Sequence, residues 1–161
     1  MTVTLFRIAA DTATYTADDL SGKGAEITGG RWNEKGTPLV YAATTRALAY
    51  VETLVHLDGS KPLPLNRYLI EINVPDDAWA NAAVCNPAAN VGWDALPASI
   101  TSIRFGTNWA AGGSSLLVMV PSVVTPEELN VLINPKHPDI AKVKAKNVRK
   151  WTYDHRAHAT V

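Results

Sequence analysis

Short apolar runs of strand length recur along the chain, while helix-length periodic segments are few. VTLFRIA (3–9) alternates, with Leu5 and Arg7 on one side and Phe6 and Ile8 on the other. PLVYAA (38–43), NRYLIEINV (66–74) and SSLLVMVPSVV (114–124) read as further strands. PEELNVLINP (126–135) reads as a short acidic turn followed by another strand. TTRALAYVETLVHL (44–57) is the clearest helix, with Thr44 or Thr45 as its N-cap and Asp58-Gly59 beyond its end. SITSIRFGTNWAAGG (99–113) is a second helix, HPDIAKVKAK (137–146) a short last one, and RKWTYDHR (149–156) is strand-like. DDAWANAA (76–83) has the look of a helical turn, and residues 10–30 that of a long loop. Strands interleaved with few helices and long irregular connections predict an α+β fold and not a regular parallel α/β one.

Composition narrows the function classes. Of the 161 residues 47% are hydrophobic, enough for one ordinary domain with a sizeable core, and the span expected for it is 1–161. Fifteen basic and fifteen acidic side chains cancel, so any polyanion would have to be bound by a local patch. KHPDIAKVKAKNVRK (136–150) is the one basic stretch, and a solvated helix flank is the better account of it. The single cysteine, Cys85, excludes an internal disulfide framework and a multi-cysteine zinc site. The N-terminus shows no secretion signal and no segment has the length of a membrane helix, which leads us to expect a soluble, cytoplasmic domain.

GKGAEITGG (22–30) lacks the Gly-Lys-Ser/Thr ending of a phosphate-binding P-loop. The Arg31-Trp32-Asn33 that follows it is more unusual. Glycines allow close approach of a ligand, and a guanidinium suits bidentate phosphate binding, although a solvated turn would carry the same residues. On a helical wheel Leu48, Val51 and Val55 form an apolar stripe, with Glu52 and His56 beside it along with Thr45 and Ala49. An i,i+4 pair there is either a partly desolvated acid with a supporting histidine or an ordinary solvated flank. Tyr41 ends the preceding strand, within possible reach of Glu52. Arginine, tyrosine and glutamate together suit a phosphate-bearing ligand with an aromatic ring and a developing positive charge.

GGRWN (29–33), VYAATTRALAYVETLVH (40–56) and VPSVVTPEELNVLINPKHPD (120–139), in this order, resemble the RES domain, and the likeness extends from Phe6-Arg7 to Tyr153-Asp154-His155-Arg156. The pattern is most similar to the toxins of Xre–RES toxin–antitoxin pairs. The resemblance implies a compact α+β domain like that of ADP-ribosyltransferases and diphtheria-type toxins. It also implies NAD+ as substrate, without a metal. The family's name residues fall on Arg31, Glu52 and Ser122, with Tyr41 and His56 in adjoining motifs and Asn134 in INP. Arg31, Tyr41 and Glu52 are thereby implied to be catalytic, and Arg31, Tyr41, Ser122, His56 and Asn134 to bind substrate. Arg31 would hold the diphosphate, Tyr41 would stack on the nicotinamide or its ribose, and Glu52 would face the oxocarbenium ion. His56 would support Glu52, and Ser122 would bond the substrate or hold Arg31 or Glu52. We expect Trp32 to pack the loop down and Asn33 to pin its backbone. Cleavage of NAD+ with growth arrest is the function implied, with protein ADP-ribosylation as an alternative. A nucleic-acid-acting toxin is the alternative from another class. The expected partner is an Xre-like antitoxin that covers the active site and itself carries the DNA contact. The sequence leaves open whether water, phosphate or a protein accepts the ADP-ribosyl group.

Overall fold

The computed structural model describes residues 1–158, so the last three residues of the expected 1–161 span lie outside the described residues. In chain order the elements are β1 (Thr2–Ala10), α1 (Lys23–Thr28), β2 (Val40–Ala43), α2 (Arg46–Leu54), β3 (Arg67–Pro75), α3 (Asp76–Ala80), β4 (Ala83–Val84), α4 (Ile100–Gly112), β5 (Leu117–Pro121), β6 (Leu129–Ile133) and β7 (Lys144–Lys150). The strands form one mixed sheet in the order β4-β5-β6-β2-β1-β3-β7, with β4 and β5 parallel and every other neighbour antiparallel. The α+β class expected from the apolar runs is the class found.

The core is divided by the sheet. Leu5, Ile70, Ile72, Val131 and Ile133 are fully buried in one cluster. A second cluster holds Trp32, Leu39, Trp93, Trp109, Val118 and Leu132, and a small third one seats Leu48 and Ala49 of α2 on Phe6 and Ala43. Each fully buried leucine or isoleucine contributes roughly 1.5–3 kcal/mol relative to an exposed one. Cys85 is a free, buried thiol, as expected of a lone cysteine with packing as its role. No helix among the described residues is long and apolar enough to cross a membrane.

One break in the sheet matters most. β1 and β3 stay paired along their full length, from Thr2↔Pro75 to Ala10↔Arg67. β1 and β2 meet only at Phe6↔Ala43. The two strands then part, and a cleft of about 210 Å³ opens, lined by Arg7 to Ala10, Leu39 and Tyr41, with Tyr15, Asp19 and residues 22–25 around it.

Several local expectations need correction. Residues 10–30 are not loop throughout, because α1 occupies Lys23–Thr28 and ends on Gly29, whose φ of 67° is left-handed. The expected last helix is a 3-10 turn over Pro138–Lys142 followed by strand β7, which pairs with β3. Partner pairing decides that segment, because lysines alternating with small apolar residues fit either period. RKWTYDHR is a strand only as far as Lys150, and His155–His158 form a 3-10 turn. The 44–57 helix closes at Leu54, where bonds from His56 N to Thr53 O and Leu57 N to Leu54 O tighten the chain into a turn.

Candidate active site

The arginine loop is built from its glycines outward. A Cβ on Gly30 would lie 2.7 Å from the Tyr41 hydroxyl and 3.0 Å from Asn33 Oδ1. The bare Cα therefore makes room for Tyr41, a correction to the expectation that both glycines make room for ligand. The Tyr41 hydroxyl donates to Asn33 Oδ1 at 2.6 Å and accepts from Trp32 N at 3.0 Å. Asn33, 1% exposed, donates through Nδ2 to the carbonyls of Ala25, Glu34 and Thr37. Trp32 is 3% exposed, stacks on Trp93 and meets Phe105 edge-on. Packing by Trp32 and pinning by Asn33 are thus what hold this loop. A Cβ on Gly106 would overlap the Trp32 carbonyl oxygen, so α4 bears directly on the loop backbone.

Arg31 leaves this rigid turn half-buried. Its Nη1 donates to the carbonyls of Trp93 at 3.0 Å and Ala95 at 2.8 Å. Burial lowers its pKa, while the charges of Glu52, Asp94 and Tyr41 oppose that shift. Burial also pushes the Tyr41 phenol well above its ordinary value, against the Trp32 hydrogen bond and nearby Arg31. With its hydroxyl spent on the loop and firmly protonated, Tyr41 offers the cleft its ring.

Glu52 comes from α2, which begins at Thr45, whose side chain caps Leu48 N at 3.0 Å. Leu48 and Ala49 are buried, so Glu52, three and four residues on, lies on the inward side. Its Oε1 accepts from Ser122 Oγ at 2.6 Å and from Asn130 Nδ2 at 2.7 Å. Ser122 is fully buried, and its oxygen also accepts from Val124 N and Thr125 N, each at 3.1 Å. Its one proton goes to Glu52. Of the roles expected for Ser122, holding Glu52 is the one realised, and its buried hydroxyl has no capacity left for substrate.

Two other candidates lie apart. Asn134 is 1% exposed, donates to Ala110 O and accepts from Lys136 N. Its amide pins the end of β6 to α4. His56 follows the closed end of α2, and its side chain is exposed with no hydrogen bond among the described residues. The supporting contact to Glu52 is absent because the helix turn that would make it does not form.

The sequence reading missed two residues. Arg7 lines the cleft along with Tyr41 and donates Nη1 to Asp19 O at 3.3 Å. Burial lowers its pKa, opposed by Asp19, Tyr15 and Asp18. The signal was one arginine inside an apolar strand. Asn130 has a weaker signal, a lone amide in LNVLIN. Arg31 has the charges of Glu52 and Tyr41 near it, which gives a cation, an aromatic ring and a fixed carboxylate, and Arg7 shares the cleft lining with Tyr41. These suit an anionic ligand that develops positive charge elsewhere in the molecule.

A family model described as the RES domain matches residues 4–156. The chain is 59% identical over 157 residues to a protein of Sphingobium sp. (strain YBL2) named "Prs ADP-ribosylating toxin", covering 97% of each chain. It is 40% identical to "Toxin Res" of Yersinia enterocolitica, over 76% of this chain and 79% of that one. A "Toxin Res" of Pseudomonas putida is 37% identical, over 86% of this chain and 92% of its own. With the motifs in order, an ADP-ribosyltransferase-like α+β fold and matches over nearly its whole length, the chain belongs to the RES-domain family of toxins.

Proposed function

We propose that residues 1–161 are one RES domain that consumes NAD+ by cleaving the bond between nicotinamide and ribose. The observation carrying this reading is the Glu52 carboxylate, anchored through Oε1 by Ser122 and Asn130 on the inward side of α2. As the bond breaks, nicotinamide leaves as a neutral base with the bonding electrons, and the ribosyl carbon becomes cationic. A fixed anion beside that carbon is stronger in the transition state than in the ground state. Arg31 holds the diphosphate, while the Tyr41 ring stacks on the nicotinamide end. Ser122 acts through Glu52. Water then attacks the ribosyl carbon and gives up one proton to solvent, or a phosphate anion attacks it directly.

A specific observation favours a second reading, transfer to a protein. The relative matching 97% of this chain is named an ADP-ribosylating toxin. The donor pocket is the same in both readings. Names such as "Toxin Res" further support a neutralising partner, and we take it to be an Xre-like antitoxin in the cytoplasm that covers the site and itself contacts DNA.

Product analysis tests the reading. Purified protein with NAD+ is expected to release nicotinamide, and buffers with and without phosphate, plus a lysate with adenylate-labelled NAD+, identify the acceptor. Glu52→Gln is expected to lose at least a hundredfold in turnover, and full turnover there would remove its assigned role. Arg31→Ala is expected to lose more than tenfold, more than about 1.4 kcal/mol of transition-state stabilisation. Normal kinetics in that variant would remove the diphosphate clamp.

A further inference from the structure

We propose that Asn130 is a positioning residue that fixes which oxygen of Glu52 is presented to the substrate. The proposal rests on the reading of Glu52 as the anion beside the ribosyl centre. Asn130 Nδ2 and Ser122 Oγ both bond Oε1, at 2.7 and 2.6 Å. Oε2 makes no hydrogen bond to the protein among the described residues. The terminal torsion of a glutamate is broad and two-fold, so one donor alone leaves the carboxylate plane free to turn. Two donors converging on one oxygen fix that plane and leave the other oxygen for the ligand.

The sheet register explains why the donors converge. Asn130 pairs with Val120 of β5 and Ala43 of β2. Ser122 stands two residues beyond Val120 and therefore on the same face, where Ser122 N donates to Glu128 O and continues the β5–β6 pairing. A further bond from Thr44 Oγ1 to Leu129 O, at 3.1 Å, ties the approach to α2 to the same strand. Glu52 and its two donors are thus held by one rigid block. The two donors are not equivalent. Ser122 has its oxygen saturated by Val124 N and Thr125 N, which aims its proton but leaves rotation about that bond possible. Asn130 supplies the second point that a plane requires.

Two variants separate this role from simple packing. Asn130→Asp nearly keeps the shape but replaces the donor by a second carboxylate. Asn130→Ala removes both shape and donor. A shape role makes Asp the milder change; a positioning role makes it the harsher. With NAD+ we expect kcat to fall about tenfold in Asn130→Ala and at least a hundredfold in Asn130→Asp, with KM within threefold of wild type in both. Crystal structures of the two variants provide a readout independent of turnover. In Asn130→Asp the Glu52 carboxylate is expected to turn away from position 130, moving Oε1 out of reach of Ser122. The reverse kinetic order, or a Glu52 carboxylate that stays in place in both variant structures, would overturn the proposal. If the wild-type protein releases no nicotinamide, the NAD+ reading fails, and the carboxylate's position in the variants still decides whether Asn130 orients it.

Discussion

Tyr41 shows how a residue can be placed at a site and still have most of its work elsewhere. Its hydroxyl bonds Trp32 N and Asn33 Oδ1, and Gly30 is bare because that hydroxyl occupies the space a Cβ would need. Tyr41→Phe should therefore act first on the loop. We expect a loss of roughly 1–3 kcal/mol in stability from the unpaired Trp32 N–H and Asn33 amide oxygen, measured by denaturant unfolding. NAD+ turnover should fall less than in Arg31→Ala, because the ring remains. Arg31, Tyr41 and Glu52 each carry a local signal in the sequence: a glycine-flanked arginine, a strand-end tyrosine and a helix-margin acid. Ser122 was legible only as a motif letter. Asn130 was not legible, because its meaning lies in a carboxylate 78 positions away in sequence. His56 misled because i,i+4 spacing implies contact only while the helix continues, and α2 closes at Leu54.

At the scale of elements, α4 acts as the support of the arginine loop. Gly106 meets the Trp32 carbonyl, Thr107 Oγ1 accepts from Glu34 N at 3.0 Å, and Phe105 lies edge-on to Trp32. Gly106→Ala should push the helix from the loop, although alanine is the better helix former. We expect a net destabilisation of about 2 kcal/mol or more, and a rise in the KM for NAD+ as Arg31 shifts. A stabilised variant would contradict this packing. Thr45→Ala, which removes only the cap of α2, should cost about 1 kcal/mol in unfolding experiments. The central strands were readable from their apolar runs because both faces of the sheet are covered. β7 was not, since its lysine-rich pattern gains its conformation from β3, and no local period signals a partner 70 or more residues away.

At the scale of the whole molecule, the cleft opens where the sheet comes apart. β1 holds β3 along its full length and β2 by one pair, so the cleft between β1 and β2 gathers Arg7 and Tyr41 from opposite strands. Tyr41 also stands near Arg31, whose own neighbours include Glu52, so it links that cleft to the arginine loop and to α2. No sequence period encodes such a gap, which is why Arg7 read as one more strand residue. Balanced charge fits the same picture, since the cations that matter are few and local. The most direct test is nicotinamide release from NAD+ by the wild-type protein and by Glu52→Gln, measured side by side. Release by the wild type, reduced at least a hundredfold in the folded variant, is the expected result. Equal release by both proteins would contradict the central role given to the Glu52 carboxylate.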